Sequence, residues 1–202
     1  MKRILTLVLL FVALVNLSSC SSDDDAKPKK EYGIFKVQDE QTVLMNGTIN
    51  SKSNKNFTTL YKHYPKIDKI EINECEGSSD DETNLKLSLF IHQMGINTHI
   101  LDNGFVASGG TDLFLAGIKR TIGKNVRIGV HSWAMETNGK KSVATDYDMN
   151  HAYHKPYMNY YMQVGFTAEE AKAFYFFTIK AAPADDIHWM TEGELEKYKI
   201  LK

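Results

Sequence analysis

The chain lacks most of what would staple or charge it. Only two of its 202 residues are cysteines, Cys20 and Cys75, which excludes a disulfide-built scaffold. Lys and Arg number 24 against 25 Asp and Glu, so the net charge of −1 offers no basic field for nucleic acid. Prolines number four, and two of them, Pro65 and Pro156, interrupt apolar or aromatic stretches. No internal repeat is present. One long apolar run exists, Ile4 to Val15, and it falls short of the roughly 20 residues that a spanning helix needs.

What is present begins with that run. Lys2 and Arg3 precede it and Leu17-Ser-Ser-Cys20 follows it, the layout of a secretory signal. Leu-Ser-Ser-Cys resembles a bacterial lipobox, which implies a signal over 1–19, acylation of Cys20 and attachment to a membrane through that lipid. Residues 20–30 then form a polar tether, whose segment Ser21 to Lys30 has no apolar side chain beyond Ala26 and Pro28 with which to pack. The Ser-Asp run after the cysteine is similar to the export signal of Bacteroidota surface lipoproteins. The expectation is an outer-membrane lipoprotein of the cell envelope, facing either outward or into the periplasm. Acylation of Cys20 leaves Cys75 as a lone thiol. Residues 31–202 are long enough for one domain with its own core.

Along that domain, Glu31 to Val37 and Thr42 to Ile49 read as strands, Ser51 to Tyr64 as a helix stopped by Pro65, and Ile67 to Asn73 as an alternating strand. Asp80 to Met94 reads as a helix with acids in its first turn and Gly95 at its end. Asn97 to Leu101 is a short strand, Thr111 to Ile118 a helix, and Lys119 to Ile122 and Arg127 to His131 strands. Ala144 to Val164 reads as an aromatic-rich helix broken at Pro156. Thr167 with Glu170, and Thr191 with Glu194, form capping boxes for two further helices. This order predicts right-handed β-α-β crossovers, hence a layered α/β domain closed by C-terminal helices. Ligands of such sheets sit at strand C-termini.

The most informative segment is Phe105-Val-Ala-Ser-Gly-Gly-Thr-Asp-Leu-Phe-Leu-Ala-Gly117, followed by Arg127-Ile-Gly-Val-His131. A serine ends an apolar strand in a small-residue turn and opens a helix, where backbone N–H groups are free to hold an oxyanion. A histidine at the end of the next strand is placed to take the hydroxyl proton. An N-capping serine and a structural strand-end histidine are the competing reading.

Three blocks in this order resemble the Clp protease proteolytic subunit and crotonase superfamily, in its Clp-protease-like periplasmic branch: Ile72-Asn-Glu-Cys-Glu-Gly-Ser78, Ala107-Ser-Gly-Gly110 and Val130-His131, closed by the acidic-hydrophobic block from Asp185 to Tyr198. The likeness runs over most of residues 42–200. It implies a Clp-protease/crotonase-like spiral fold and a serine hydrolase acting on a peptide or ester. In that assignment Ser108 is the nucleophile, His131 the base and Asp186, with Asp185 next to it, the third member. The backbone N–H groups of Gly109 and of Glu76 or Gly77 form the oxyanion hole. Relatives assemble into rings or trimers, so a homo-oligomer is expected, and no cofactor is called for. The family's first turn is usually Ser-Pro-Gly-Gly; here Glu74-Cys75-Glu76-Gly77 brings two acids beside the anion site. The alternative is a catalytically inactive surface lipoprotein that binds a partner through its aromatic helices.

The remaining candidates have plainer readings. Cys75 is a small filler, with no cation beside it to make a thiolate. His151 and His154 stand i, i+3 with Asp146 and Asp148 upstream, a spacing compatible with zinc, but the surrounding tyrosines favour an amphipathic face or lid and no metal is assigned. His188 reads as local capping and packing. The aromatic band from Tyr147 to Phe177 reads as core, with part of it available to line a groove or a subunit contact.

Overall fold

The computed structural model describes residues 28–202; the leader, Cys20 and most of the tether lie outside the described residues. The strands are β1 (Glu31–Tyr32), β2 (Phe35–Val37), β3 (Thr42–Met45), β4 (Lys69–Cys75), β5 (Asn97–Ala107), β6 (Arg120–Ile122), β7 (Arg127–Val130), β8 (Ala134–Thr137), β9 (Lys140–Val143) and β10 (His188–Trp189). The helices are α1 (Ser53–His63), α2 (Asp81–Gln93), α3 (Gly109–Leu115), α4 (Lys155–Gln163), α5 (Ala168–Ala181) and α6 (Glu192–Lys197).

The main sheet runs β1-β2-β3-β4-β5-β7-β10, with β6 also paired to β5. Its centre is parallel: β3, β4, β5 and β7 run the same way, as strands joined by crossover helices must. The hairpin β1-β2-β3 and the short β10 flank that centre as antiparallel strands. This is the layered α/β domain with C-terminal helices that the sequence predicts. Buried on both faces, the central strands carry Val43, Met45, Ile70, Ile72, Ile100 and Val106 at 0 % exposure. The helices close over them with Phe57 and Leu60 from α1 and Leu87 and Ile91 from α2. Each such side chain contributes about 1.5–3 kcal/mol on burial. Asp80 caps α2 by accepting from Thr83 N–H at 3.0 Å, and Thr167–Glu170 and Thr191–Glu194 form their capping boxes as expected.

Two expectations are corrected and one hairpin is added. The strand beginning at Asn97 continues to Ala107: it bends at Asn103 (φ 62°) instead of ending there, pairing with β6 through Thr98–Ile100 and with β7 through Phe105–Ala107. Residues 134–143 form a separate hairpin, β8-β9, turned by Asn138 and Gly139, both at positive φ. The long helix expected over 144–164 is one turn of 3-10 helix at Ala144–Asp146, another at Ala152–His154, and α4, with Pro156 in its first turn where a missing N–H costs nothing.

Most of the aromatic band is core. Tyr160, Tyr161, Phe174 and Tyr175 are at most 3 % exposed, and their rings pack in tilted and edge-on pairs between α4 and α5. Among the described residues no helix is long and apolar enough to cross a membrane.

Candidate functional site

The β5–α3 junction puts one residue, Ser108, in a conformation that L-residues rarely adopt: φ 52°, ψ −128°. Strand geometry ends at Ala107 and helical geometry starts at Gly109, so Ser108 alone absorbs the turn. Such strain costs on the order of 1–3 kcal/mol and persists where the surroundings enforce it. They do so here. Ser108 N–H donates to the Gly129 carbonyl at 3.0 Å, and Thr111 Oγ1 donates to that same carbonyl at 2.7 Å. Ser108 makes no capping hydrogen bond from its side chain, so the N-cap reading of this serine is not what the turn uses.

His131 follows β7 two residues beyond Gly129. Ser108 and His131 line the same small cavity, about 40 Å³, together with Gly109, Asp112, Tyr157 and Tyr161 among others. Both side chains are half-buried. His131 Nδ1 is buried and has no hydrogen-bond partner among the described residues.

The turn after β4 packs against Ser108. Gly77 has φ 143°, a glycine conformation, and a methyl group on it would lie 3.0 Å from Ser108 Cβ and 3.5 Å from Ser108 Oγ. Its carbonyl is taken by Ile49 N–H at 2.9 Å. Gly109 is equally confined: a Cβ there would meet Ser78 Cβ at 2.7 Å and Asn84 Nδ2 at 2.8 Å. Neither the Gly77 nor the Gly109 N–H donates to a backbone carbonyl among the described residues. Glu74 and Glu76 are exposed, so their carboxylates sit in solvent.

Asp186 is not brought to the cavity. It is exposed, and its carboxylate accepts its neighbour's own Ile187 N–H at 2.8 Å; Asp185 is exposed as well. The chain beyond α5 pairs β10 with β7 through His188–Val130 and leaves both acids on the surface. His188 pairs with Glu194 at 2.9 Å, the local role expected of it.

The cavity instead holds acids absent from the sequence-based assignment. Asp112, on α3, is 8 % exposed; Tyr161 O–H donates to its Oδ1 at 2.7 Å and Tyr160 O–H to its backbone carbonyl at 2.6 Å. Burial pushes its carboxyl up to about 7; the Tyr161 hydrogen bond opposes this and the charge of Asp81 adds to it. Asp81, at the start of α2, accepts from Tyr157 O–H at 2.5 Å and from Ser78 Oγ. Tyr175 O–H accepts from Trp133 Nε1 at 2.9 Å and donates to His154 Nδ1 at 2.6 Å. Burial, first among the causes, raises the Tyr157, Tyr160 and Tyr161 phenols above their ordinary value and takes Tyr175 to about 12, so all four remain protonated donors. The sequence carried one signal for this network: Asp112 is the lone acid in an otherwise apolar helical turn, four residues after Ser108.

Cys75 is buried, its Sγ 3.7 Å from the Gly77 carbonyl, and burial pushes its thiol up to about 11. His154 is fully buried while His151 is not, and among the described residues no group of three or more His, Cys, Asp or Glu is placed to hold a metal ion.

No family model and no curated protein sequence matches the chain. Solved structures do. The chain is similar to the membrane-bound stomatin-specific protease 1510-N, as a lysine-to-alanine mutant in complex with a substrate peptide: TM-score 0.52 at 18 % identity over 79 % of this chain and 71 % of that one. A serine-to-alanine mutant of the same protease gives a TM-score of 0.53 at 18 % identity over 79 % and 75 % of the two chains. A ClpP1 mutant from Listeria monocytogenes gives 0.49 at 20 % identity over 80 % and 89 %. The chain thus shares the fold of the stomatin-specific protease.

Proposed function

We propose that this protein is a serine hydrolase, a peptidase of the Clp-protease-like fold, held at the cell envelope by a lipid on Cys20. The observation that carries the reading is the Ser108 turn: a strained serine at a strand–helix junction, in one cavity with His131, beside two glycines whose N–H groups donate to no backbone carbonyl among the described residues. The substrate peptide and the membrane-bound character of the stomatin-specific protease support a peptide as substrate and a membrane as the place of action. The Leu17-Ser-Ser-Cys20 segment supports the anchor.

In this reading Ser108 Oγ attacks the carbonyl carbon while His131 takes its proton. The tetrahedral oxyanion accepts from the Gly109 and Gly77 N–H groups. Collapse expels the leaving amine, which takes the proton back from His131, and water hydrolyses the acyl-enzyme by the reverse sequence. The outward-facing Glu74 and Glu76 remove the electrostatic objection to an anion at this turn. Burial of the α4–α5 aromatics weighs against their use as a broad partner-binding face.

The test is labelling of the protein by a fluorophosphonate, in which the Ser108 Oγ–P bond forms and fluoride leaves. Labelling that Ser108→Ala abolishes and His131→Ala reduces by a hundredfold or more supports the hydrolase. A folded wild type that does not label overturns it in favour of an inactive lipoprotein.

A further inference from the structure

Asp112 is unused by the mechanism above, yet it is the most deeply placed acid of the cavity. It follows Ser108 by four residues, in the first turn of α3, and lines the same cavity as Ser108 and His131. Tyr161 and Tyr160 fix it from α4. Five ionisable or phenolic groups act on it, Tyr157, Tyr160 and Tyr161 from α4, Asp81 from α2 and Tyr175 from α5, and a sixth, His131 beyond β7, lines the same cavity. Of these, His131 alone gains a positive charge. It gains it at the moment Ser108 is deprotonated, and its Nδ1 has no partner. A charge created in a small buried space needs a countercharge within it, and Asp186 stands on the surface.

Resting on the hydrolase reading, we propose that Asp112 is the positioning carboxyl of the Ser108–His131 pair, supplying from the nucleophile's own helix the negative charge that stabilises the His131 imidazolium. The acid of the site then comes from i+4 of the serine and not from the C-terminal block. Burial holds Asp112 protonated on the acid side of neutrality, so the countercharge is present only once that proton has left. The Tyr161 hydrogen bond favours the charged carboxylate and sets where that happens.

The experiment is the rate of Ser108 labelling by a fluorophosphonate between pH 5 and 9, on the full chain. The wild-type rate falls on the acid side as Asp112 takes up its proton. Asp112→Asn, with melting followed to confirm folding, is labelled about 100-fold more slowly near pH 8, and its acid limb is shallower than that of the wild type. Tyr161→Phe keeps the carboxyl but removes the bond that favours its charge, so the midpoint of its profile moves to higher pH; this variant carries the test if Asp112→Asn does not fold. Asp112→Asn labelled at the wild-type rate with an unaltered profile, or loss of labelling in Asp186→Asn but not in Asp112→Asn, overturns the proposal and leaves the hydrolase standing. Absence of wild-type labelling at every pH overturns both.

Discussion

Gly77 and Ser108 stand face to face: a methyl group on the glycine would lie 3.0 Å from the serine Cβ. The two residues come from turns after different strands, β4 and β5, and neither tolerates much change in the other.

Gly77→Ala therefore has two expected effects. Its φ of 143° is glycine territory, so the substitution costs about 1–3 kcal/mol of stability, read as a lower urea midpoint. It also displaces an N–H from the anion site, so Ser108 labelling falls by about 10²–10³-fold. Wild-type labelling in a folded Gly77→Ala protein would remove Gly77 from the oxyanion hole.

The buried Asp112 makes stability depend on pH. Its carboxyl titrates near 7 when folded and near 3.8 when free. The folded state therefore binds the extra proton between those values: its stabilising effect is complete below about pH 4 and is lost as pH rises through 7. At about 1.4 kcal/mol per unit the full span is on the order of 4 kcal/mol. Wild type is expected to lose several kcal/mol relative to Asp112→Asn between pH 4.5 and 8 in urea unfolding. A constant difference between the two proteins across that range would refute the shift.

Tyr175 holds two partners at once, Trp133 and the fully buried His154. Tyr175→Phe leaves an indole N–H and an imidazole nitrogen without partners, and His154 Nε2 already lacks one. The expected cost is about 2–4 kcal/mol, seen in urea unfolding and as a change in tryptophan emission. A loss below about 0.5 kcal/mol would mean that water replaces the hydroxyl.

Cys75 is expected to be inert in the native state, because burial takes its thiol up to about 11. In a Cys20→Ser protein at pH 8, a disulfide reagent should react with it at least 100-fold more slowly than in denaturant. Equal rates would mean that the packing around Cys75 opens readily.

Local chemistry made much of this legible. The capping boxes and the small-residue turn at Ser108 follow from side chains acting on their own backbone. The errors lie where distant partners decide. Asn103-Gly104 looks like the end of a strand, yet pairing to β6 on one side of the bend and to β7 on the other carries β5 through it. Asn138-Gly139 is a hairpin signal, but polar flanking residues hid it within a stretch dominated by aromatics downstream. The resemblance puts the acid at Asp186 by its place along the chain, whereas α3, α4 and α5 line the cavity, and helical spacing alone does not tell a buried acid such as Asp112 from a solvated one.

The Gly129 carbonyl takes hydrogen bonds from both Ser108 N–H and Thr111 Oγ1, two residues before His131. The serine's turn and the histidine's strand are thereby bolted to one atom. Neither element can be displaced without breaking or carrying a bond that the other shares, so the nucleophile's turn and the base's strand form one mechanical part.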